Sequence, residues 1–150
     1  KNIEKIRSEV GMVFQQFNLF PHLSILDNCT LAPIWVKKKS KKEAEELANQ
    51  YLEKVQIVDQ AKKFPGQLSG GQQQRVAIAR ALVNKPSIIF ADEPTGNLDS
   101  KTEADVMNLF KKLNSEGQTI ILITHEQEIA DQCKRVIKIR DGHIESDRIN

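Results

Sequence analysis

The stretch that decides the fold is Ile88-Ile-Phe-Ala-Asp-Glu-Pro-Thr-Gly-Asn-Leu-Asp99. The run over residues 87–91 is apolar apart from its first residue, and such a run predicts a strand buried on both faces in a parallel sheet. Asp92 and Glu93 follow directly, so two carboxylates stand where the strand ends. One carboxylate in that position can hold the shell of a divalent cation, and its neighbour can face a water molecule.

The sequence downstream predicts a helix and a second buried strand. Ser100 and Glu103 have the spacing of a capping box, and Gly117 marks the end of the helix. Its expected buried face is formed by Val106, Leu109, Phe110 and Leu113. Residues 119–124 are mostly apolar and end at His125. Strand, helix and strand in this order indicate a parallel α/β core.

Upstream stands the octet Leu68-Ser-Gly-Gly-Gln-Gln-Gln-Arg75, followed by a predicted helix over residues 75–83. Two glycines allow the backbone to approach an anion closely. The helix that follows directs free N–H groups and the positive end of its dipole toward that anion. Ser69 adds a hydroxyl donor. The octet therefore indicates a binding site for an anionic group.

The first half of the chain is predicted to be mainly helical after one strand. A short apolar run after Glu9 predicts a strand ending at Gln15, and residues 17–36 a loop with one short helix. Ser40 and Glu43 form a capping box for a helix whose apolar stripe predicts core packing. The stripe consists of Ala44, Leu47, Ala48, Tyr51, Leu52 and Val55. The lysine run over residues 37–42 indicates a solvated helix start, with contact to acidic lipid headgroups as the alternative.

Composition excludes several classes of function. The 150 residues carry a net charge of +2, which implies no strong field for nucleic acid or membrane. The apolar runs are too short to span a bilayer, and the charged start has no signal-peptide core. Cys29 and Cys133 stand alone and predict two reduced thiols. Near the end, Asp141-Gly142 between two strand-like runs predicts a hairpin with a type I′ turn.

Four motifs in one order make the chain resemble the ABC-type ATPases. The octet matches the signature motif of that family at every position, and residues 88–99 resemble its Walker B strand and D-loop. His125 resembles the switch histidine. Gln15 resembles the Q-loop glutamine and lies in the stretch Val-Phe-Gln-Gln-Phe-Asn-Leu-Phe-Pro-His. The resemblance implies an α/β P-loop NTPase core with an incomplete parallel sheet and an inserted α-helical subdomain.

The resemblance also implies a role for each site residue. Glu93 aligns with the catalytic base, Asp92 with the Mg²⁺ carboxylate, and His125 with the contact to the γ-phosphate. Gln15 aligns with the glutamine that reaches the metal and the attacking water. The implied ATP-binding set is Ser69, Gly70, Gly71, Gln72 and Asp99, of which Asp99 also contacts a partner subunit.

The implied organisation has three parts. Residues 1–16 would supply a core strand and the Q-loop, residues 17–85 the helical subdomain with the signature motif, and residues 86–150 the rest of the core. The expected cofactors are ATP and Mg²⁺. The expected partners are integral-membrane permease subunits and a second ATPase subunit in a head-to-tail dimer, with no nucleic acid. Such a protein would lie in the cytoplasm, peripheral to the inner face of the membrane.

Finer features point in two directions within the family. Residues 11–75 resemble ATPases of polar or general amino-acid uptake, whereas residues 87–100 resemble the lipoprotein-release and macrolide-export branch. A soluble ABC protein without transport, and a non-catalytic interaction module, remain as alternatives. A Gly-rich phosphate loop with its Lys is not found in the 150 residues. The family carries that loop upstream of Gln15, so we expect this chain alone to bind ATP weakly or not at all.

Overall fold

The computed structural model describes Ile3, Ile6 and residues 8–150. Residues 1, 2, 4, 5 and 7 lie outside the described residues. They belong to the charged start that argues against a signal peptide and to the predicted core segment 1–16. In chain order the strands and helices are β1 (Val10–Phe14), α1 (Ile25–Trp35), α2 (Lys41–Lys54), α3 (Gly70–Leu82), β2 (Ile88–Asp92), α4 (Ser100–Ser115), β3 (Thr119–Ile123), α5 (Gln127–Ala130), β4 (Arg135–Arg140) and β5 (His143–Ile149). Two 3₁₀ turns, Val58–Gln60 and Pro65–Gln67, join α2 to α3.

Strands β1, β2 and β3 form a parallel sheet in that order. Their registers pair Phe14 with Asp92 and Asp92 with Ile123, so the three strands end on one line. The predicted α/β class and parallel sheet are confirmed. Because parallel strands present their carboxyl ends at a common edge, the residues that follow each strand are brought together there.

Only one face of the sheet is well buried. Val13, Ile89 and Ala91 point into the core and are fully buried. On the opposite face Met12 is 39% exposed and Ile121, two strands away, is 41% exposed. The prediction that residues 87–91 are buried on both faces is therefore wrong, and β3, predicted as a second buried strand, is exposed on the same face. The apolar runs suit double coverage, but the helices of the described chain that contact the sheet cover one side.

Side-chain caps fix where the helices begin. Ser40 and Glu43 form the predicted capping box of α2, and Ser24 caps α1 by accepting from the backbone N–H of Asp27. Helix α4 differs from the prediction, because its N-cap is Asp99 and not Ser100. The Asp99 carboxylate accepts from the backbone N–H of Thr102 at 3.1 Å and from its hydroxyl at 2.6 Å. A charged acceptor suits the positive helix end better than a serine hydroxyl does.

The last two strands form a separate antiparallel hairpin. Asp141 and Gly142 both have positive φ, at 50° and 79°. Two successive residues of positive φ define the type I′ turn, which confirms the predicted hairpin. An ion pair between Arg135 and Asp147 links the two strands at their open end.

One hydrophobic core joins the sheet to the helices. It contains Val13 and Ile89 from the sheet, Leu52 from α2 and Ile78 from α3. The predicted division at residues 16/17 and 85/86 stays a prediction, since a single core crosses both points. Within the described part of the chain, none of the helices combines the length and apolar character needed to cross a bilayer.

The first turn of α3 lies directly against the first turn of α4. Gly71 is buried, and a Cβ added to it would overlap Cγ2 of Thr102. That methyl group is held in place because the Thr102 hydroxyl donates to Asp99. Glycine at residue 71 therefore has a packing role in addition to the anion contact suggested by its motif.

We expect Gly71→Ala to lower the free energy of unfolding by about 1 to 3 kcal/mol, the usual range for overpacking. Adding Thr102→Ser should recover most of the loss, because serine lacks the obstructing methyl but keeps the hydroxyl bonded to Asp99. Chemical denaturation of the two variants, with Thr102→Ser alone as the matched control, measures the coupling. Additive effects of the two substitutions would contradict it.

Candidate functional site

Four of the predicted site residues lie at the carboxyl edge of the parallel sheet. Gln15 directly follows β1. Asp92 is the last residue of β2, and Glu93 comes next. His125 is the second residue after the end of β3. The aligned strand ends bring them to this edge from three separate parts of the sequence. We call this group the edge cluster.

Glu93 and His125 form the closest contact in the edge cluster. Nδ1 of His125 lies 2.6 Å from Oε1 of Glu93, and the backbone N–H of His125 donates to the same oxygen at 3.1 Å. The hydroxyl of Thr124 donates to the other carboxylate oxygen at 3.4 Å. A carboxylate offers about four lone-pair sites. These three contacts therefore leave room for one further donor, such as a water molecule.

The backbone of Glu93 is in the left-handed region, with φ at 45°. A residue with a Cβ pays about 1–2 kcal/mol for this conformation. The backbone N–H of Glu93 donates to the carbonyl of Ile123 at 2.9 Å, which holds the turn against the end of β3. Backbone strain of this kind is found mainly where a side chain has to be aimed.

The Glu93 carboxylate changes the chemistry of the imidazole beside it. The hydrogen bond that His125 donates to Glu93, and then the negative charge of Glu93, raise the pKa of His125 above the usual value. The His125 side chain is 81% exposed, whereas that of Glu93 is 21% exposed. With Nδ1 occupied by Glu93, a protonated His125 can still donate its Nε2 hydrogen outward to an anion.

Gln15 is tied to the loop that follows Glu93. Its side-chain amide donates to Oδ1 of Asn97 at 3.4 Å, and Asn97 donates to the backbone carbonyl of Gln15 at 3.1 Å. A Cβ on Gly96 would lie 2.6 Å from Nε2 of Gln15, so this loop passes close over the glutamine. The two segments therefore hold each other at the edge of the sheet.

The remaining predicted site residues form a second group. Ser69 caps α3 and Gln72 completes the capping box, with the backbone N–H of Ser69 donating to Oε1 of Gln72 at 2.9 Å. Gly70 lies near Leu98, just before Asp99. The structure therefore brings Ser69, Gly70, Gly71, Gln72 and Asp99 onto neighbouring helix starts. The 94–98 loop separates this group from the edge cluster.

The edge cluster offers few ligands to a metal ion. Among the described residues, no group of three or more His, Cys, Asp or Glu side chains is placed to hold one. Mg²⁺ does not need such a cage, because it keeps several waters and uses one or two carboxylates together with phosphate oxygens. Asp92 has an exposed carboxylate beside Glu93. The exposed Asp92 carboxylate fits Mg²⁺ delivered with a nucleotide, and Asp92 and Gln15 stay the predicted ligands.

Sequence reasoning missed the role of Gln74. Its side chain is fully buried, and its amide donates to the carbonyls of Pro94 at 2.5 Å and Phe14 at 3.4 Å. It therefore connects α3 to the segments that carry Gln15 and Glu93. Gln74 lies three residues after buried Gly71 and four before buried Ile78, so it is a polar residue on an apolar helix face. That spacing could have indicated a buried side chain that needs hydrogen-bond partners.

Two further polar residues hold the loop after Gln15. Arg80 donates to the carbonyls of Phe17 at 3.1 Å and Asn18 at 2.6 Å, and both of those residues have positive φ. Buried Asn28 exchanges hydrogen bonds with the backbone of Phe20 and donates to two nearby carbonyls. No local pattern in the sequence distinguishes Arg80 or Asn28 from ordinary helix residues.

An apolar strand ending in Asp-Glu, a histidine paired with that Glu, and a capped glycine pair nearby are the combination expected of an ABC-type ATPase cassette. The model of the ABC transporter family matches residues 1–96, and the chain belongs to this family. The predicted resemblance is confirmed.

Among the similar proteins are ATP-binding proteins named for amino-acid transport. The chain is 59% identical over 145 residues to the glutamate/glutamine/aspartate/asparagine transport ATP-binding protein of Rhodobacter capsulatus, covering 96% of this chain and 55% of that protein. It is 56% identical over 145 residues to the general L-amino acid transport ATP-binding protein of Rhizobium johnstonii, covering 96% and 56%. The chain spans little more than half the length of these relatives.

The export branch is also represented. The macrolide export ATP-binding/permease protein of Bdellovibrio bacteriovorus is 48% identical over 141 residues, covering 94% of this chain and 21% of that protein. Among solved structures, the ATP-binding cassette MJ0796, a dimer in a post-hydrolysis state with ADP and phosphate, matches with a TM-score of 0.83 and 44% identity. That match covers 99% of this chain and 66% of the solved chain. The fold is thus that of an ABC ATPase cassette.

We expect Glu93→Gln to lower the pKa of His125 toward the ordinary value of about 6.5. The negative charge of Glu93 favours the protonated imidazolium, and the substitution removes that charge. Titration of the His125 ring by NMR measures the shift. The pairing stabilises the fold fully at pH values below the unfolded pKa of histidine, and this contribution is lost as pH rises through the raised folded pKa.

Glu126→Gln is the matched control, because Glu126 makes the smallest contribution that raises the pKa of His125. It should shift the titration much less than Glu93→Gln does. Equal shifts in the two variants would show that general negative charge, and not the contact at Nδ1, sets the pKa.

Proposed function

We propose that the protein is the ATP-hydrolysing subunit of an amino-acid transporter. The observation that carries this proposal is the contact between Glu93 and His125 at the carboxyl edge of the parallel sheet. This contact supports a site in which a carboxylate and a neighbouring histidine act on the same γ-phosphate. The family membership supports ATP as the substrate, and a cassette of similar structure was solved with ADP and phosphate.

In this proposal Glu93 orients a water molecule with its free lone pair. As the water oxygen bonds to the γ-phosphorus, Glu93 accepts a proton and the bond to the bridging oxygen breaks. His125 donates its Nε2 hydrogen to a γ-phosphate oxygen, and the raised pKa favours the protonated ring. Bound Mg²⁺ would neutralise phosphate charge, with Asp92 and Gln15 holding its water shell.

A second subunit would complete the site. Ser69, Gly70 and Gly71 stand at the start of α3, where backbone N–H groups and the helix dipole favour an anion. The loop of residues 94–98 separates them from the edge cluster, which supports their binding the nucleotide of a partner. Head-to-tail pairing of two cassettes satisfies both sites, and the similar solved cassettes are dimers.

The relatives support the solute and the cellular position. Two of the similar proteins are named for amino-acid transport, and they match over 96% of this chain. Transport requires a separate integral-membrane permease, so the protein would be peripheral on the cytoplasmic face of the membrane. The loop after Gln15, held by Arg80 and Asn28, would transmit movement to that permease.

Glu93→Gln should lower ATP turnover by about a hundredfold or more, since a positioned general base contributes roughly 10²- to 10⁴-fold. ATP binding should persist, because the amide keeps the shape of the side chain. The measurement is phosphate release and nucleotide binding in a polypeptide that joins this chain to a phosphate loop. Glu128→Gln, on the exposed side of α5, is the control, and near-normal turnover in Glu93→Gln would refute the role of base.

The 150-residue chain alone should bind Mg-ATP weakly or not at all. Its residues include no Gly-rich loop with a Lys to surround the β- and γ-phosphates, which is the main source of affinity in such sites. Calorimetric titration of the chain with Mg-ATP tests this. Micromolar affinity would contradict the expectation and would mean that the edge cluster binds nucleotide by itself.

A further inference from the structure

The turn between α1 and α2 exposes an unusual combination of side chains. Trp35 is 71% exposed and Val36 is 56% exposed at the end of α1. The lysine run follows at once, with Lys37, Lys38 and Lys39 before Ser40 and Lys41 and Lys42 after it. We call residues 35–42 the tip patch. None of its residues takes part in the edge cluster or in the second group of site residues.

The tip patch has an ordered backbone. The N–H of Val36 donates to the carbonyl of Ala32 at 2.9 Å, and the N–H of Lys39 donates to that of Pro33 at 3.1 Å. Lys38 adopts the left-handed conformation, with φ at 54°, which reverses the chain between the two helices. The Ser40 capping box then starts α2. The turn is therefore a fixed projection from the helices.

The charge of the tip patch is largely unneutralised. Lys41 forms an exposed ion pair with Glu45 at 3.7 Å, and Glu43 is engaged by Ser40 through the capping box. Lys37, Lys38 and Lys42 form no ion pair with any residue that the structure describes. Three lysines without such an ion pair thus lie within seven residues of the exposed Trp35 in the sequence.

We propose that the tip patch binds directly to the surface of an anionic lipid membrane. Tryptophan favours the interface between water and lipid, where its ring is half-buried and its N–H stays hydrated. Lysines beside it lie at the level of the headgroups and are attracted to their negative charge. This contact is additional to any made through a permease, and it does not depend on ATP hydrolysis.

The type of cation favours a membrane over an acidic protein or a nucleic acid. All five positive residues are lysines, which act as flexible point charges. Specific recognition of carboxylates and phosphates more often uses the rigid fork of arginine. The patch also projects as a turn, a shape suited to an extended, diffuse negative surface.

Trp35 makes the proposal directly testable, because it is the single tryptophan of the chain. The test mixes the protein with vesicles of phosphatidylcholine alone or of phosphatidylcholine with a minority of phosphatidylglycerol. We expect the tryptophan emission to move to shorter wavelength, and the protein to co-sediment, only with the anionic vesicles. High salt should reverse both effects, because it shortens the range of the attraction.

The triple variant Lys37→Gln, Lys38→Gln, Lys39→Gln should lower the partition coefficient by on the order of a hundredfold, at about fivefold for each lysine. The matched control changes Lys62, Lys63 and Lys85 to Gln, which removes the same charge from exposed positions outside the tip patch. The control should lose much less. Trp35→Ser should weaken co-sedimentation while leaving the charge unchanged, and circular dichroism confirms that each variant is folded.

Several outcomes would overturn the proposal. Equal binding to neutral vesicles, equal losses in the two triple variants, or no change in tryptophan emission would each do so. An equal emission shift with soluble polyglutamate or with an oligonucleotide would assign the tip patch to another class of partner. The vesicles contain neither permease nor nucleotide, so failure here leaves the proposed ATPase function untouched.

Discussion

The matched register of the three parallel strands is the constraint on which the site depends. Phe14, Asp92 and Ile123 are aligned across the sheet, although they come from three distant parts of the chain. A shift of one residue in β2 would turn Asp92 to the other face of the sheet and carry Glu93 away from His125. The buried Ile89 and Ala91 oppose such a shift, because it would turn both of them away from the core. Apolar packing on one face thus fixes the chemistry at the edge.

Polar side chains of α3 hold neighbouring segments against the ends of the strands. Gln74 connects the interior of α3 to the ends of β1 and β2, and Arg80 holds the loop after Gln15. The Oε1 atom of Gln74 is buried and accepts no hydrogen bond from the residues that the structure describes. Such a group costs free energy that apolar packing at the same position would avoid. The hydrogen bonds that Gln74 donates to Phe14 and Pro94 stand against this cost.

Much of the fold could be predicted because its signals are local. Capping at Ser40, the hairpin turn at Asp141-Gly142 and the parallel strands all follow from short patterns. The number of sheet faces covered by helices could not be predicted. An apolar run shows that a strand can be buried on both faces, but it does not show which helices pack on either face. The sequence predicted Ser100 as the cap of α4, whereas the contacts of Asp99 with Thr102 make Asp99 the cap. The grouping of site residues came from the family pattern, whereas Gln74 and Arg80 act through contacts 20 to 63 residues away.

The position of Gln74 also makes α3 a short lever. Gln74 lies about 5 Å along the helix axis from the glycine pair at its start, at 1.5 Å per residue. If the helical layer tilted by about ten degrees around this fixed point, the start of α3 would move by roughly 1 Å. That displacement is comparable to the difference between a good hydrogen bond and a broken one. A small rotation of the helices is therefore enough to engage or release an anion at Ser69, while Gln74 stays bonded to the strand ends.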